Sequence, residues 1–253
     1  MIFVFNKDRI KTYLVSMLTV AMLIVFSNIG NIKSIQTSSV PKYLPIYNVK
    51  TDEKKIAFTM NCAWNADDID SILETLKNNN VHITFFIVGD WVDKYPEAVK
   101  KINEAGHEIG SHSNTHPHVN KLSAEKNLEE INLSVAKIQK ITGQKANIYR
   151  APYGEYNNTV IKTAEENGYY TIQWNLDTLD YKGLTGEQMW NRLKNKVENG
   201  AIILSHNGTK HTADSLDMLI KNIKSKGYEI ITVSQLIYKD NYIINGNGTQ
   251  IHE

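Results

Sequence analysis

Four short stretches carry histidine, arginine and aspartate at spacings that suit hydrolytic or metal chemistry. In "GSHSNTHPH", residues 110–118, His112 and His116 stand four positions apart. If the chain turns helically there, both imidazoles face one way and can grip a single metal ion. Alone, such a pair fits a solvated loop as well, and His118 belongs with that loop. "YRAPYG", residues 149–154, sets Arg150 and Tyr153 around a stiffening proline. The guanidinium can hold a carboxylate and a backbone N–H near Tyr153 can face an oxyanion, although an ordinary strand-end turn accounts for the same residues. "IILSHNG" ends an apolar run at His206, a natural place for a general acid or for a simple strand cap. "WNLDTLDY" offers Asp177 and Asp180, either able to orient that ring or to shape a turn.

Regular elements must bring these stretches together. From residue 54 onward short apolar runs alternate with amphipathic segments. "KIAFTMN" is expected to be a strand, and "DDIDSILETLKNNN" a helix with Ile69, Ile72, Leu73 and Leu76 on one face. "HITFFIVG" is the next strand, and the alternation runs through to "YEIITVSQLI". About seven such units imply an α/β fold with a parallel sheet, either closed as a barrel or open and doubly wound. No Gly-rich phosphate loop follows the first strand. In a barrel, reactive side chains gather at the C-terminal strand ends. Asn61, His112, Arg150, Asp177, Asp180 and His206 all follow apolar runs, as that arrangement requires. The tail over 239–253, within "YKDNYIINGNGTQIHE", shows no period and is expected to be loose.

A chain of 253 residues, 42% hydrophobic and 22% charged, can hold one domain with a full core. The net charge of +1 and the lack of a dense basic block argue against nucleic-acid binding. Lys7, Arg9 and Lys11 precede an uncharged run from Tyr13 to Ile29, which predicts a signal-anchor or transmembrane helix over residues 1–30. The positive flank stays cytoplasmic, so the remainder is expected outside, membrane-anchored or secreted if the segment is cleaved. Residues 31–53 are polar with two prolines and are expected to be a linker. Cys62 is the one cysteine, so no intramolecular disulfide forms.

Together the motifs resemble the polysaccharide deacetylases of carbohydrate esterase family 4, the NodB homology domain. The resemblance runs over about residues 54–238. It rests on His-Ser-x-x-His-Pro at His112 to Pro117, Arg-x-Pro-Tyr-Gly at Arg150 to Gly154, and Leu-x-His at Leu204 to His206. "ITFFIVGDWV" also looks like the family's second strand. The resemblance implies a distorted (β/α)7-type barrel of parallel strands with outer helices. It also implies a divalent metal, usually zinc, that activates water against the N-acetyl group of a polysaccharide. Carried over, His112 and His116 are metal ligands, His206 is the general acid and Asp180 tethers it. Arg150 steers the base, Tyr153 lines the oxyanion site, and Leu204 walls the acetyl-methyl pocket. Tyr181 stands on the substrate wall where the family usually has tryptophan.

The family's first motif reads Thr-Phe-Asp-Asp-Gly, and here it is Thr59-Met60-Asn61-Cys62-Ala63. A sporulation-associated branch, with Phe-Asp-x-x-Trp and later acidic residues, is more similar through Trp64, Asp67 and Asp68. That likeness implies a metal carboxylate from Asp68 for preference, with Asp67 or the Cys62 thiolate as alternatives. Asn61 stands at the base position, and a carboxamide cannot accept the water's proton. Two expectations follow: a metal-dependent deacetylase of peptidoglycan or a similar glycan, slowed by Asn61, or a membrane-tethered glycan-binding pseudoenzyme.

Overall fold

The computed structural model describes residues 11, 16–19 and 43–253. The strands, in chain order, are β1 (Asn48–Val49), β2 (Lys55–Cys62), β3 (Thr84–Ile87), β4 (Glu108–Ser111), β5 (Ile148–Tyr149) and β6 (Tyr170–Thr171). They continue as β7 (Leu176–Asp177), β8 (Ile202–His206), β9 (Glu229–Ile231), β10 (Tyr242–Ile244) and β11 (Thr249–His252). Eight of them form one parallel sheet in the order β6-β5-β4-β3-β2-β8-β7, with β9 paired to the first residues of β2. Helices between the strands cover its outer face. One of them, Ile69–Asn78, buries Ile72 and Leu76 against the same cluster as Phe58, Met60 and Cys62.

The alternation along β2 decides what reaches the interior. Phe58, Met60 and Cys62 turn outward to the helices, while Thr59 and Asn61 reach Arg150 on the inner side. On the paired strands, Asn61 lies in register with His206 of β8 and Phe86 of β3.

The expected distorted (β/α)7-type barrel is a curled half-barrel, open between β6 and β7. No ladder joins β6 to β7, both only two residues long. The segment around β1 crosses the gap instead: the Ile46 N–H donates to Thr171 O at 2.8 Å, and the Val49 N–H to Gly200 O at 2.9 Å. Gly200 permits this approach. Its φ is +76°, and a Cβ there would lie 1.7 Å from Val49 O.

Residues 239–253, expected to be loose, are ordered. β10 and β11 form a hairpin around Asn245–Gly248, and β11 runs parallel to β1. Gln250 is fully buried, trading hydrogen bonds with both backbone groups of Tyr238. The described part of the expected linker also departs from expectation, since Ile46 and Val49 are core residues. Strands of two to four residues are too short to show a period in sequence, and the Asn-Gly-Asn-Gly turn was the available hairpin signal. The anchor expected over 1–30 lies outside the described residues except at 11 and 16–19. Among the described residues no helix is long and apolar enough to cross a membrane.

Gly200→Ala is expected to destabilise the domain by about 2 kcal/mol or more, because the clash and the positive φ act together. Urea unfolding of both proteins checks this, and a loss below about 0.5 kcal/mol contradicts it.

Candidate active site

The C-terminal ends of β2, β4, β7 and β8 surround a cleft of about 410 Å³. His206 lies at the end of β8, and its Nδ1 is 2.8 Å from Asp180 Oδ1. Asp180 is wholly buried and also accepts from the His206 and Tyr181 backbone N–H groups and the Thr212 hydroxyl. Four donors satisfy the carboxylate and fix its geometry, so the imidazole's other nitrogen is left for the cleft. That is the arrangement of an oriented acid–base histidine.

Arg150 is at 0% exposure and meets no carboxylate among the described residues. Its Nη1 donates to Thr59 Oγ1 at 2.8 Å and to Asn61 Oδ1 at 3.0 Å. Nη2 and Nε donate to the carbonyls of Gln173 and Ile172. The guanidinium lies over Phe86 at 4.1 Å, and burial pushes its pKa down to about 9. It remains charged at neutral pH. Holding that charge inside costs the fold free energy, because the interior solvates it poorly.

The two imidazoles of the His-x3-His pair meet, with ring centroids 4.9 Å apart at 79°. No helix brings them together. Residues 112–118 are irregular, and His116 takes a φ of +59°. His112 Nδ1 donates to the Arg150 carbonyl at 2.7 Å, which leaves its Nε2 lone pair free. Burial first, and then the neighbouring His116, holds the His112 pKa well below the usual histidine value; burial lowers that of His116 as well. Both are therefore neutral ligands by chemistry.

The expected third ligand does not arrive. Asp68 Oδ1 accepts from Asn207 Nδ2 at 3.1 Å and its Oδ2 from the Gly208 N–H at 2.7 Å, so the carboxylate ties two loops together. Asp67 is exposed. Cys62 points to the helix layer, and burial pushes its thiol pKa well up. Among the described residues no three His, Cys, Asp or Glu side chains form a cluster able to hold a metal. The donor set fits a divalent ion for two ligands and lacks the carboxylate.

Aromatic rings rim the cleft. Tyr153, 59% exposed, packs edge-on to His116 and stacks on His118, while Trp64 and Tyr181 flank His206, each with a centroid distance of 5.4 Å. Leu204 lines the inner wall. Among the described residues Asp177 is the one carboxylate lining the cleft, its pKa raised by burial against the Leu179 N–H that it accepts. Sequence reasoning left out Trp174 and Gly154, which also line the cleft, and Thr59 and Phe86, which hold Arg150. The period-two spacing of Thr59 and Asn61 and the place of Gly154 in the Arg-x-Pro-Tyr-Gly motif were usable signals; nothing local singled out Trp174 or Phe86.

The chain matches the polysaccharide deacetylase family over residues 48–172. It is 30% identical over 206 residues to the peptidoglycan-N-acetylmuramic acid deacetylase PdaA of Bacillus subtilis, covering 80% of this chain and 78% of that protein. The chain belongs to the polysaccharide deacetylase family. Another family relative is the uncharacterized protein YlxY of Bacillus subtilis, 36% identical over 193 residues, covering 76% of this chain but only 60% of YlxY. A carbohydrate esterase family 4 pseudoenzyme from Bacillus anthracis superposes with a TM-score of 0.74 at 31% identity, covering 83% of this chain and 73% of that one. A mutant of that pseudoenzyme with restored enzymatic activity gives a TM-score of 0.73 at 33% identity, covering 78% and 71%.

Asn61→Asp supplies the missing anion beside Arg150 and is expected to stabilise the domain by about 1–3 kcal/mol at neutral pH. Denaturant unfolding measures it. Unchanged or lower stability contradicts the reading of Arg150 as an uncompensated charge.

Proposed function

We propose that this polysaccharide deacetylase-family chain binds an N-acetylated cell-wall glycan, peptidoglycan or a similar GlcNAc-containing polymer, in this cleft and hydrolyses its acetamide slowly. The observation carrying the proposal is His206, oriented by a fully bonded Asp180 and facing the imidazole pair. Binding alone gives no reason to keep a buried carboxylate behind a cleft histidine.

In hydrolysis, water's oxygen bonds to the acetyl carbon, the C–N bond breaks, and acetate and an amine leave. His206 is placed to give the leaving nitrogen its proton. Leu204 walls the methyl group, and exposed Trp64, Tyr153 and Tyr181 offer ring faces to sugars. A divalent ion on His112 and His116, zinc for preference, would polarise the carbonyl when bound. Asn61 cannot take the water's proton, and general-base help is worth about 10²–10⁴ in rate. A second reading, a glycan-binding pseudoenzyme, is favoured by Asn61 and by the commitment of Asp68 elsewhere. In either reading the charge pattern of residues 1–30 supports a domain outside the cytoplasm, tethered or released.

Acetate release from an N-acetylglucosamine oligomer should rise about a hundredfold or more in Asn61→Asp. Measurable wild-type turnover with no gain would make Asp177, the other polar acid of the cleft, the base. No release from either protein favours the pseudoenzyme. Separately, His112→Ala is expected to abolish zinc uptake measured by elemental analysis, and equal zinc content removes the imidazole pair from the ligand role.

A further inference from the structure

Arg150 has a second effect, on the direction in which Asn61 presents its amide. A guanidinium only donates, so the Asn61 atom 3.0 Å from Nη1 is the oxygen. The amide is planar, and its Nδ2 is therefore on the other side, where Asn61 lines the cleft. The Nδ2 hydrogens meet no protein acceptor among the described residues. Where the family's aspartate would present an acceptor, this chain presents a donor. Across the cleft, His112 presents the opposite group. Its Nδ1–H is spent on the Arg150 carbonyl, so Nε2 is an unprotonated acceptor.

We infer that the metal-free cleft is an acetamide clamp, with Asn61 Nδ2 donating to the acetyl carbonyl and the amide N–H of the sugar donating to His112 Nε2. β2 and the end of β4 are two strands apart, roughly 10 Å between backbones. Side chains converge inside a curled sheet, and an amide with a hydrogen bond at each end spans roughly 8 Å. Selectivity follows from charge as well as from hydrogen bonding. A deacetylated amino sugar is an ammonium at mildly acidic pH. It has no acceptor for Asn61, and it would sit above the buried Arg150 cation. Asn61 is thus a specificity-determining residue that turns the site toward the acetylated polymer. The inference rests on the glycan assigned above, but it needs neither metal nor turnover.

The test is calorimetric titration of the full chain in EDTA at pH 6, with an N-acetylglucosamine oligomer and its fully deacetylated counterpart. The wild type is expected to prefer the acetylated oligomer by about tenfold or more. Asn61→Asp should lose that preference or reverse it, since the carboxylate removes the donor and attracts the ammonium. Asn61→Ala should weaken acetylated binding without attracting the amine. A wild-type preference retained in Asn61→Asp overturns the clamp, as does binding that appears only when zinc is added. Acetate release with zinc, run in parallel, separates the two failures. Turnover without metal-free binding sinks the clamp alone, whereas neither binding nor turnover sinks the glycan assignment as well.

Discussion

A guanidinium sealed from water and bonded only to neutral oxygens is the constraint around which this site is arranged. Burial of Arg150 is enforced by packing on Phe86 and by four acceptors contributed from two parts of the chain, Thr59 with Asn61 and Ile172 with Gln173. Such a charge is normally matched by an anion, because the interior solvates it poorly. Here the group facing it across the sheet is the Asn61 carboxamide, nearly the same shape as a carboxylate. A carboxamide oxygen accepts the hydrogen bond but brings no negative charge. It therefore sets the proton chemistry, the electrostatics and the polarity that the cleft shows to a ligand.

The surroundings of that pair are held in unusual backbone conformations. Ser113, His116, Tyr153 and Leu179 all hold positive φ near the cleft, each at a cost of roughly 1–3 kcal/mol in a residue other than glycine. All four belong to the segments that carry the imidazole pair, the rim tyrosine and Asp180. The buried Asp180 carboxylate keeps four donors. This strained, hydrogen-bonded frame holds His206 and the two neutral histidines in one cleft, while Asp68 spends its charge on tying the loop after His206 to the loop after β2.

The parallel α/β character was legible in sequence because β2, β3 and β8 lie in apolar runs, and His112, Arg150 and His206 were grouped through the motifs that contain them. The half-barrel was not legible, because closure depends on β1, β6 and β7, whose two residues each carry no period. The ordered tail was missed for the same reason. Asp68 was assigned to a metal from its position in a motif, whereas its hydrogen bonds are to Asn207 and Gly208, over a hundred positions away. The helical turn expected to align His112 and His116 is replaced by a positive-φ backbone at Ser113 and His116, which the sequence does not signal.

The orientation of one amide carries the account, and neutron diffraction from a deuterium-exchanged crystal observes it directly. Two deuterons on the Asn61 nitrogen facing the cleft, with the oxygen toward a fully deuterated Arg150 guanidinium, are the expected result. Deuterons turned toward Arg150, or a guanidinium lacking one at neutral pH, would contradict it.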